Sequence, residues 1–344
     1  RWFCIRLREN GVNVLGVGDA PYDGLHPDLK KALSEYYRVD SLEDYDQVLR
    51  ALGYFTGQYG KIDWVESNNE YWLELDARLR TDFNITTGLK AHEIEKYKSK
   101  MAMKAFYKKA GLPCARYAPV TDLEAGLAFA GEVGYPIIVK PDNGVGAIAT
   151  WKLKNDEDMR QFFRDPPPVQ YLMEEYVSGS VTTYDGVCDS RGEVLFAASH
   201  ITRNSIMDMV NEGVPTYYYV DKEVPADVEA AGRATLKAFG AASRFFHLTA
   251  DKPGLGRVGD IVALEVNMRP AGGYTPDMLN FGQSVDVYQI WADMVAFDEL
   301  RHTYDGPHSY CDYAGRRDAQ PYALSLSQLE ARCGGHARLF TRMP

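Results

Sequence analysis

The stretch Leu264-Glu265-Val266-Asn267-Met268-Arg269-Pro270-Ala271-Gly272-Gly273 sets an acid, an amide and a guanidinium at alternate positions of what reads as a β-strand. Side chains two apart on a strand share a face. Glu265, Asn267 and Arg269 are therefore expected to project together, with Leu264, Val266 and Met268 on the other side. A carboxylate and an amide oxygen make a hard-oxygen set suited to Mg²⁺, and an adjacent arginine can grip a carboxylate or phosphate with two prongs. The same pattern also suits the wet face of an edge strand, so the rest of the chain must decide.

Upstream, Gly134-Tyr135-Pro136-Ile137-Ile138-Val139-Lys140 reads as a buried apolar strand ending in a lysine, followed by the small-residue loop Pro141-Asp142-Asn143-Gly144-Val145-Gly146-Ala147. A lysine ending a buried strand is costly unless it meets an anion, and a phosphate is a natural one. The loop is not a Walker A loop, because no G-K-[ST] follows. Between the two motifs, Tyr171-Leu172-Met173-Glu174-Glu175-Tyr176-Val177 reads as a strand ending in paired acids.

In this order, Lys140, Glu174-Glu175-Tyr176-Val177 and Glu265-x-Asn267-x-Arg269 resemble the motifs of the ATP-grasp superfamily, in its carboxylate–amine ligase branch, similar to carbamoyl-phosphate-synthase-like and amino-acid-ligase members. The resemblance runs from about Glu93 to Phe297. It implies an α/β chain with an N-terminal Rossmann-like domain (1–88) followed by a two-subdomain ATP-grasp fold. The first subdomain is 89–172, the second 173–300, and 301–344 form a C-terminal extension. It also implies ATP and Mg²⁺, with Mn²⁺ as an alternative, small-molecule carboxylate and amine substrates, and leaves a homodimer open.

Residue by residue, the resemblance places Lys140, Gly144, Gly146, Glu174, Glu175, Tyr176 and Val177 at the nucleotide, Glu265 and Asn267 at the metal, and Arg269 at the transferring phosphoryl group. Arg203, Arg269 and the backbone N–H groups of Gly272 and Gly273 become candidates for the substrate carboxylate or an anion nest. The segment Glu93 to Pro113 predicts a helix of good formers stopped by Gly111 and Pro113. Family members carry a first nucleotide-binding lysine eleven residues before that glycine, here Lys100, with Lys98 and Lys104 left as alternatives on the same lysine-rich helix.

Two departures stand out. Where many relatives place a ribose-binding glutamate, this chain has Val181. The strand before Glu265 should supply a first metal carboxylate, yet Arg244-Phe245-Phe246-His247-Leu248-Thr249-Ala250-Asp251 holds no acid before Asp251. Either Asp251 substitutes, or residues are missing from the chain, or the site binds metal poorly; Leu248 also reads as running early into a turn. His247, beside two phenylalanines, reads as a core or rim histidine rather than a ligand.

Composition agrees with a soluble cytoplasmic enzyme. The 344 residues are 45% hydrophobic and 25% charged, and 38 basic against 48 acidic residues give a net charge of −10. That balance argues against nucleic acid or an anionic membrane as principal partner. The five cysteines are scattered without C-x-x-C spacing, so neither a disulfide framework nor a zinc site is signalled. No apolar run of about 18 residues suggests a membrane span.

The first 85 residues alternate in the α/β manner. A strand over 12–18, a helix opened by Pro27, a second strand near Tyr37, a helix over 42–59, a strand over Ile62–Val65 and a helix over 70–80 are predicted. Gly16-Val17-Gly18-Asp19 lacks the third glycine of a dinucleotide fingerprint and reads as a strand-end turn.

Overall fold

The computed structural model of the chain describes residues 1–144, 149–202, 215–252, 261–318 and 320–341. Its N-terminal part comprises helix α1 (Trp2–Glu9), strand β1 (Leu15–Gly18), α2 (Pro27–Ala32), β2 (Glu35–Arg38), α3 (Tyr45–Tyr59) and α4 (Leu73–Asp82). β1 and β2 pair in parallel, Leu15 against Glu35. Asp44 caps α3 by accepting from the backbone N–H groups of Asp46 and Gln47, and the helix stops at Gly60 with φ +84°.

One expectation fails in this part, and one helix had no counterpart among the expected elements. Helix α1, not anticipated, packs on the far C-terminal side of the fold, where Arg6 pairs with Asp286 at 2.7 Å. Ile62–Val65 is not a strand. The Val65 carbonyl is taken by the Arg80 guanidinium, at 2.9 Å from Nε and 2.6 Å from Nη2, so it is not available to a ladder.

The chain then passes through α5 (Glu95–Lys98) and α6 (Lys100–Ala110) into the strands β3 (Tyr117–Pro119), β4 (Ile137–Pro141), β5 (Trp151–Leu153) and β6 (Tyr171–Glu175), with α7 (Leu123–Val133) and α8 (Asp156–Phe162) between them. These strands form an antiparallel sheet in the order β3-β6-β4-β5. The single helix predicted over 93–110 is broken at Ser99, whose hydroxyl accepts from the Ala102 N–H and caps α6. A serine inside a lysine-rich stretch competes with the helix through its own hydrogen bond, and that local preference wins.

The larger sheet holds β7 (Ser180–Cys188), β8 (Val194–Ala198), β9 (His200–Thr202), β10 (Tyr217–Val220), β11 (Arg244–Lys252), β12 (Val262–Asn267) and β13 (Cys311–Ala314), in the order β12-β11-β7-β9-β10-β13 with β8 also on β7. β13, from the segment read as an extension, is thus an edge strand. α9 (Ala226–Phe239) crosses the core face; α10 (Thr275–Gln283), α11 (Val287–Phe297) and α12 (Leu326–Cys333) follow. Gly232 lets α9 approach, since a Cβ there would lie 2.2 Å from the Tyr184 ring.

Strand alternation assigns the two faces of β11. Phe246 and Leu248 enter the core with Tyr184, Leu236, Phe239, Val266 and Met268. On the other face, Phe245 is covered by Trp291 and Met294 of α11. Farther along that face His247, Thr249 and Asp251 stand beside Asp185, Thr183 and Val181 of β7. The expected early turn after Leu248 is absent, because β11 continues to Lys252. On β12, Thr249 faces Glu265 but Ala250 faces Ala263, leaving Leu264 without a ladder partner. This bulge shifts the alternation, so Ala263 rather than Leu264 joins the core with Val266 and Met268.

Candidate active site

The two sheets meet across helix α6, and its fixed position makes the site. At its end the Ala263 N–H donates to the Pro113 carbonyl at 2.8 Å, tying the exit from α6 to β12. At its start Asp142, in the loop after β4, accepts from Met101 N at 2.8 Å through its carboxylate, and its carbonyl accepts from Lys100 N at 3.0 Å. An acid on the positive end of a helix is favourable, so the loop and the helix hold each other.

From this frame three lysines converge. Lys100 donates to the Gly144 carbonyl at 3.2 Å, and its Nζ lies 3.7 Å from Glu265 Oε1. Lys104, one turn on, forms an ion pair with Glu174. The other oxygen of Glu174 meets Lys140 Nζ at 2.5 Å, from the neighbouring strand β4. The three lysines and Glu174 are nearly or wholly withdrawn from solvent, while Glu265 is partly exposed.

The charges respond to that burial. Burial pushes the Glu174 carboxyl up, but Lys140 and Lys104 overcome it and hold it below the usual carboxylate range. Burial likewise opposes the charge of Lys140, and Glu174 reverses the effect and raises it. Lys100 goes the other way: burial lowers it and the Glu265 carboxylate only partly compensates. A buried cation without a tight counter-ion is what an incoming phosphate oxygen completes.

Glu265 and Asn267 share the cleft face of β12, opposite Thr249 and His247. Asp251 is the sole acid of β11 and lies on the same face as Thr249. Burial pushes its carboxyl up to about 6, against the pull of Lys140. The cleft is closed from the N-terminal side by Glu70, a residue that sequence reasoning missed. It lies 3.4 Å from Lys98 Nζ and 3.9 Å from Arg269 Nε, with one buried oxygen lacking a hydrogen-bond partner. Nothing in the sequence pairs Glu70 with residues so distant.

The structure thus brings together Lys100, Lys140, Gly144, Glu174, Glu265, Asn267 and Arg269, and adds Lys104 beside Lys100 rather than in place of it. Lys98 serves Glu70 instead. Glu175, adjacent to Glu174 and so on the opposite face, is taken by Arg116, with Nε at 2.7 Å. Tyr176 lies under Lys152, and Val177 is half-buried just beyond β6. Gly272 and Gly273 form an exposed turn into α10, Gly273 with φ +64°. Gly146 and Arg203 lie outside the described residues.

Because Lys104 keeps Glu174 paired, Lys140→Met should leave the fold standing. It should weaken ATP binding by about 1.5–3 kcal/mol, the scale of a charge-assisted hydrogen bond. Unchanged affinity in calorimetry would remove Lys140 from the nucleotide site.

Residues 98–167 match the family model described as the carbamoyl-phosphate synthase L chain, ATP binding domain. Among solved structures, an L-amino acid ligase from Bacillus licheniformis superposes with a TM-score of 0.66 at 16% identity, over 86% of this chain and 72% of that one. The biotin carboxylase domain dimer of the Hydrogenobacter thermophilus 2-oxoglutarate carboxylase, in complex with MgADP, ADP and bicarbonate, gives 0.68 at 17% identity, over 90% and 70%. The N5-carboxyaminoimidazole synthetase of Staphylococcus aureus, complexed with ADP, gives 0.66 at 14% identity, over 90% and 75%. Identities this low establish the shared architecture, and the family match falls on α6, β4 and the loop that carry the lysines. The chain shares the fold of these three structures and, over residues 98–167, matches that ATP-binding domain family.

Proposed function

We propose that the protein is an ATP- and Mg²⁺-dependent ligase that joins a carboxylate to an amine through an acyl phosphate, releasing ADP and phosphate. The convergence of Lys100, Lys104 and Lys140 between two sheets, next to Glu265, Asn267 and Arg269, carries this reading. A substrate carboxylate oxygen attacks the γ-phosphorus and the bond to ADP breaks. The amine nitrogen then forms the C–N bond, inorganic phosphate leaves with the C–O electron pair, and a proton is released. Such transfers depend on positioning and charge neutralisation, so no protein nucleophile is invoked.

In this reading Lys100 and Lys140 neutralise the triphosphate and Lys104 holds Glu174 in register. The nucleotide lies between 89–172 and 173–300, and a Rossmann-like 1–88 closes the cleft through Glu70. Among the described residues no group of three or more His, Cys, Asp and Glu side chains is arranged to hold a metal ion. A carboxylate and an amide oxygen nonetheless fit Mg²⁺, which takes one or two protein carboxylates and fills its other positions with phosphate and water oxygens. Glu265 and Asn267 would hold the ion, with Asp251 the available acid on β11, and it would supply charge neutralisation at the phosphates. Glu265→Gln should raise the Mg²⁺ requirement and depress turnover far more than it shifts apo thermal stability. Collapse of apo stability with an unaltered Mg²⁺ requirement would make Glu265 structural.

The decisive experiment is a phosphate-release screen over pairs of small carboxylic acids and amines. Pairs that together stimulate ADP formation are expected, and release of AMP and pyrophosphate would contradict the mechanism. Bicarbonate-dependent turnover without an amine would point to carboxylation chemistry. A second reading, an ATP-binding protein without turnover, rests on Thr249 standing opposite Glu265 where an acid is expected. No turnover alongside normal ATP binding would favour it.

A further inference from the structure

Beyond Thr249, the cleft face of the large sheet holds a polar cluster outside the residues assigned above to the nucleotide and metal. Asp185 of β7 is fully buried. Its Oδ1 accepts from His247 Nδ1 at 2.5 Å, and its Oδ2 from His200 Nδ1 at 2.8 Å and from the Thr183 hydroxyl at 2.5 Å. Thr183 is fixed in turn by the His200 backbone N–H at 2.9 Å. The imidazoles lie parallel, with centroids 5.6 Å apart and planes at 8°. With both Nδ1 atoms donating to the carboxylate, each ring in its neutral form carries a lone pair on Nε2. Neither Nε2 has a hydrogen-bond partner among the described residues. Both imidazole side chains keep 10–12% exposure.

The result is a pair of hydrogen-bond acceptors side by side, backed by one buried negative charge. That is a receptor for a group rich in N–H donors. Its place along the sheet is specific. Asp251, under the electrostatic influence of Lys140, marks the nucleotide end of β11. His247 lies four residues away on the same face, about 13 Å at strand spacing. There it stands opposite Asn267 and within the field of Arg269.

We propose that Asp185, His200 and His247 form the amine-binding site, the two Nε2 atoms accepting N–H bonds of the acceptor. This rests on the ligase reading. The probe is whichever of ammonia and the twenty amino acids gives the fastest phosphate release, with hydroxylamine trapping of the acyl phosphate as a separate readout. His200→Asn and His247→Asn retain an N–H for Asp185 and remove the Nε2 acceptor. Each should raise the KM for that amine by about tenfold, the loss of one hydrogen bond, and lower the ratio of amide to hydroxamate. With the unaltered protein, a fully N-methylated quaternary derivative of the same amine, which has no N–H in any protonation state, should fail to compete. Hydroxamate formation with an amine KM within twofold in both variants, or equal competition by the methylated derivative, overturns the assignment alone. No ATP-dependent hydroxamate with any carboxylate overturns the ligase reading and this one with it.

Discussion

Replacing Arg269 with alanine is expected to lower kcat by roughly 10²–10³-fold, about 2.7–4 kcal/mol, with a much smaller effect on ATP binding. Arg269 follows the last residue of β12 by two positions. Its Nη1 donates to the adjacent Pro270 carbonyl at 2.8 Å, and its Nε lies 3.9 Å from Glu70. Those contacts orient the guanidinium without consuming it in a two-pronged carboxylate pair, leaving donors for charge that develops during transfer. Steady-state kinetics with the best substrate pair, alongside calorimetry with ATP, separates the effects. Turnover within threefold of the unaltered protein would leave the mechanism standing and take Arg269 out of it.

Glu66→Leu is expected to destabilise the protein by about 3–5 kcal/mol, because it strands two buried guanidiniums. One oxygen of Glu66 accepts from Arg80 at 3.0 Å and from Arg244 at 3.1 Å, and these three side chains are 4%, 0% and 1% exposed. Arg80 belongs to α4 and Arg244 opens β11, so this one carboxylate joins the N-terminal part to the sheet carrying the site. Gly88 accommodates the pair, since its φ is +83° and a Cβ there would lie 2.9 Å from Arg80 Nε. The burial of Glu66 also reaches Asp76, whose carboxyl is pushed up to about 7, by its own desolvation first and by Glu66 second. Glu66→Gln retains an acceptor oxygen and should cost less. Denaturant midpoints for the two variants test the claim; a shift below about 1 kcal/mol for Glu66→Leu would reduce the cluster to a minor contact.

The grasp motifs were legible because each is local. A run of Ile137, Ile138 and Val139 ending in Lys140 identifies a buried strand with a charged end, and alternation alone places Glu265 and Asn267 on one face of another. Most helices and strands between 115 and 177 follow from the same periodicities. Where hydrogen bonding competed with periodicity, the reading failed: Ser99 interrupts the lysine-rich helix, the bulge at Leu264 exchanges it for Ala263 in the core, and the Val65 carbonyl goes to Arg80. The paired acids at 174 and 175 look equivalent in sequence. Strand alternation sends one to the lysines and the other to Arg116.

By itself, then, the sequence determined most of the elements between 115 and 177, Lys100 and Lys140 as candidate nucleotide lysines, and the face shared by the acid and amide of β12. Only the tertiary structure decided which lysine meets which acid, that Glu70 reaches Lys98 and Arg269 from the N-terminal part, and that His247 serves Asp185 rather than the core beside its phenylalanine neighbours. Periodicity is a property of a single segment and survives in a string of letters. Ion pairs and shared carboxylates depend on the separation and burial of residues far apart in the chain, and these are fixed only when the sheets and helix α6 have packed.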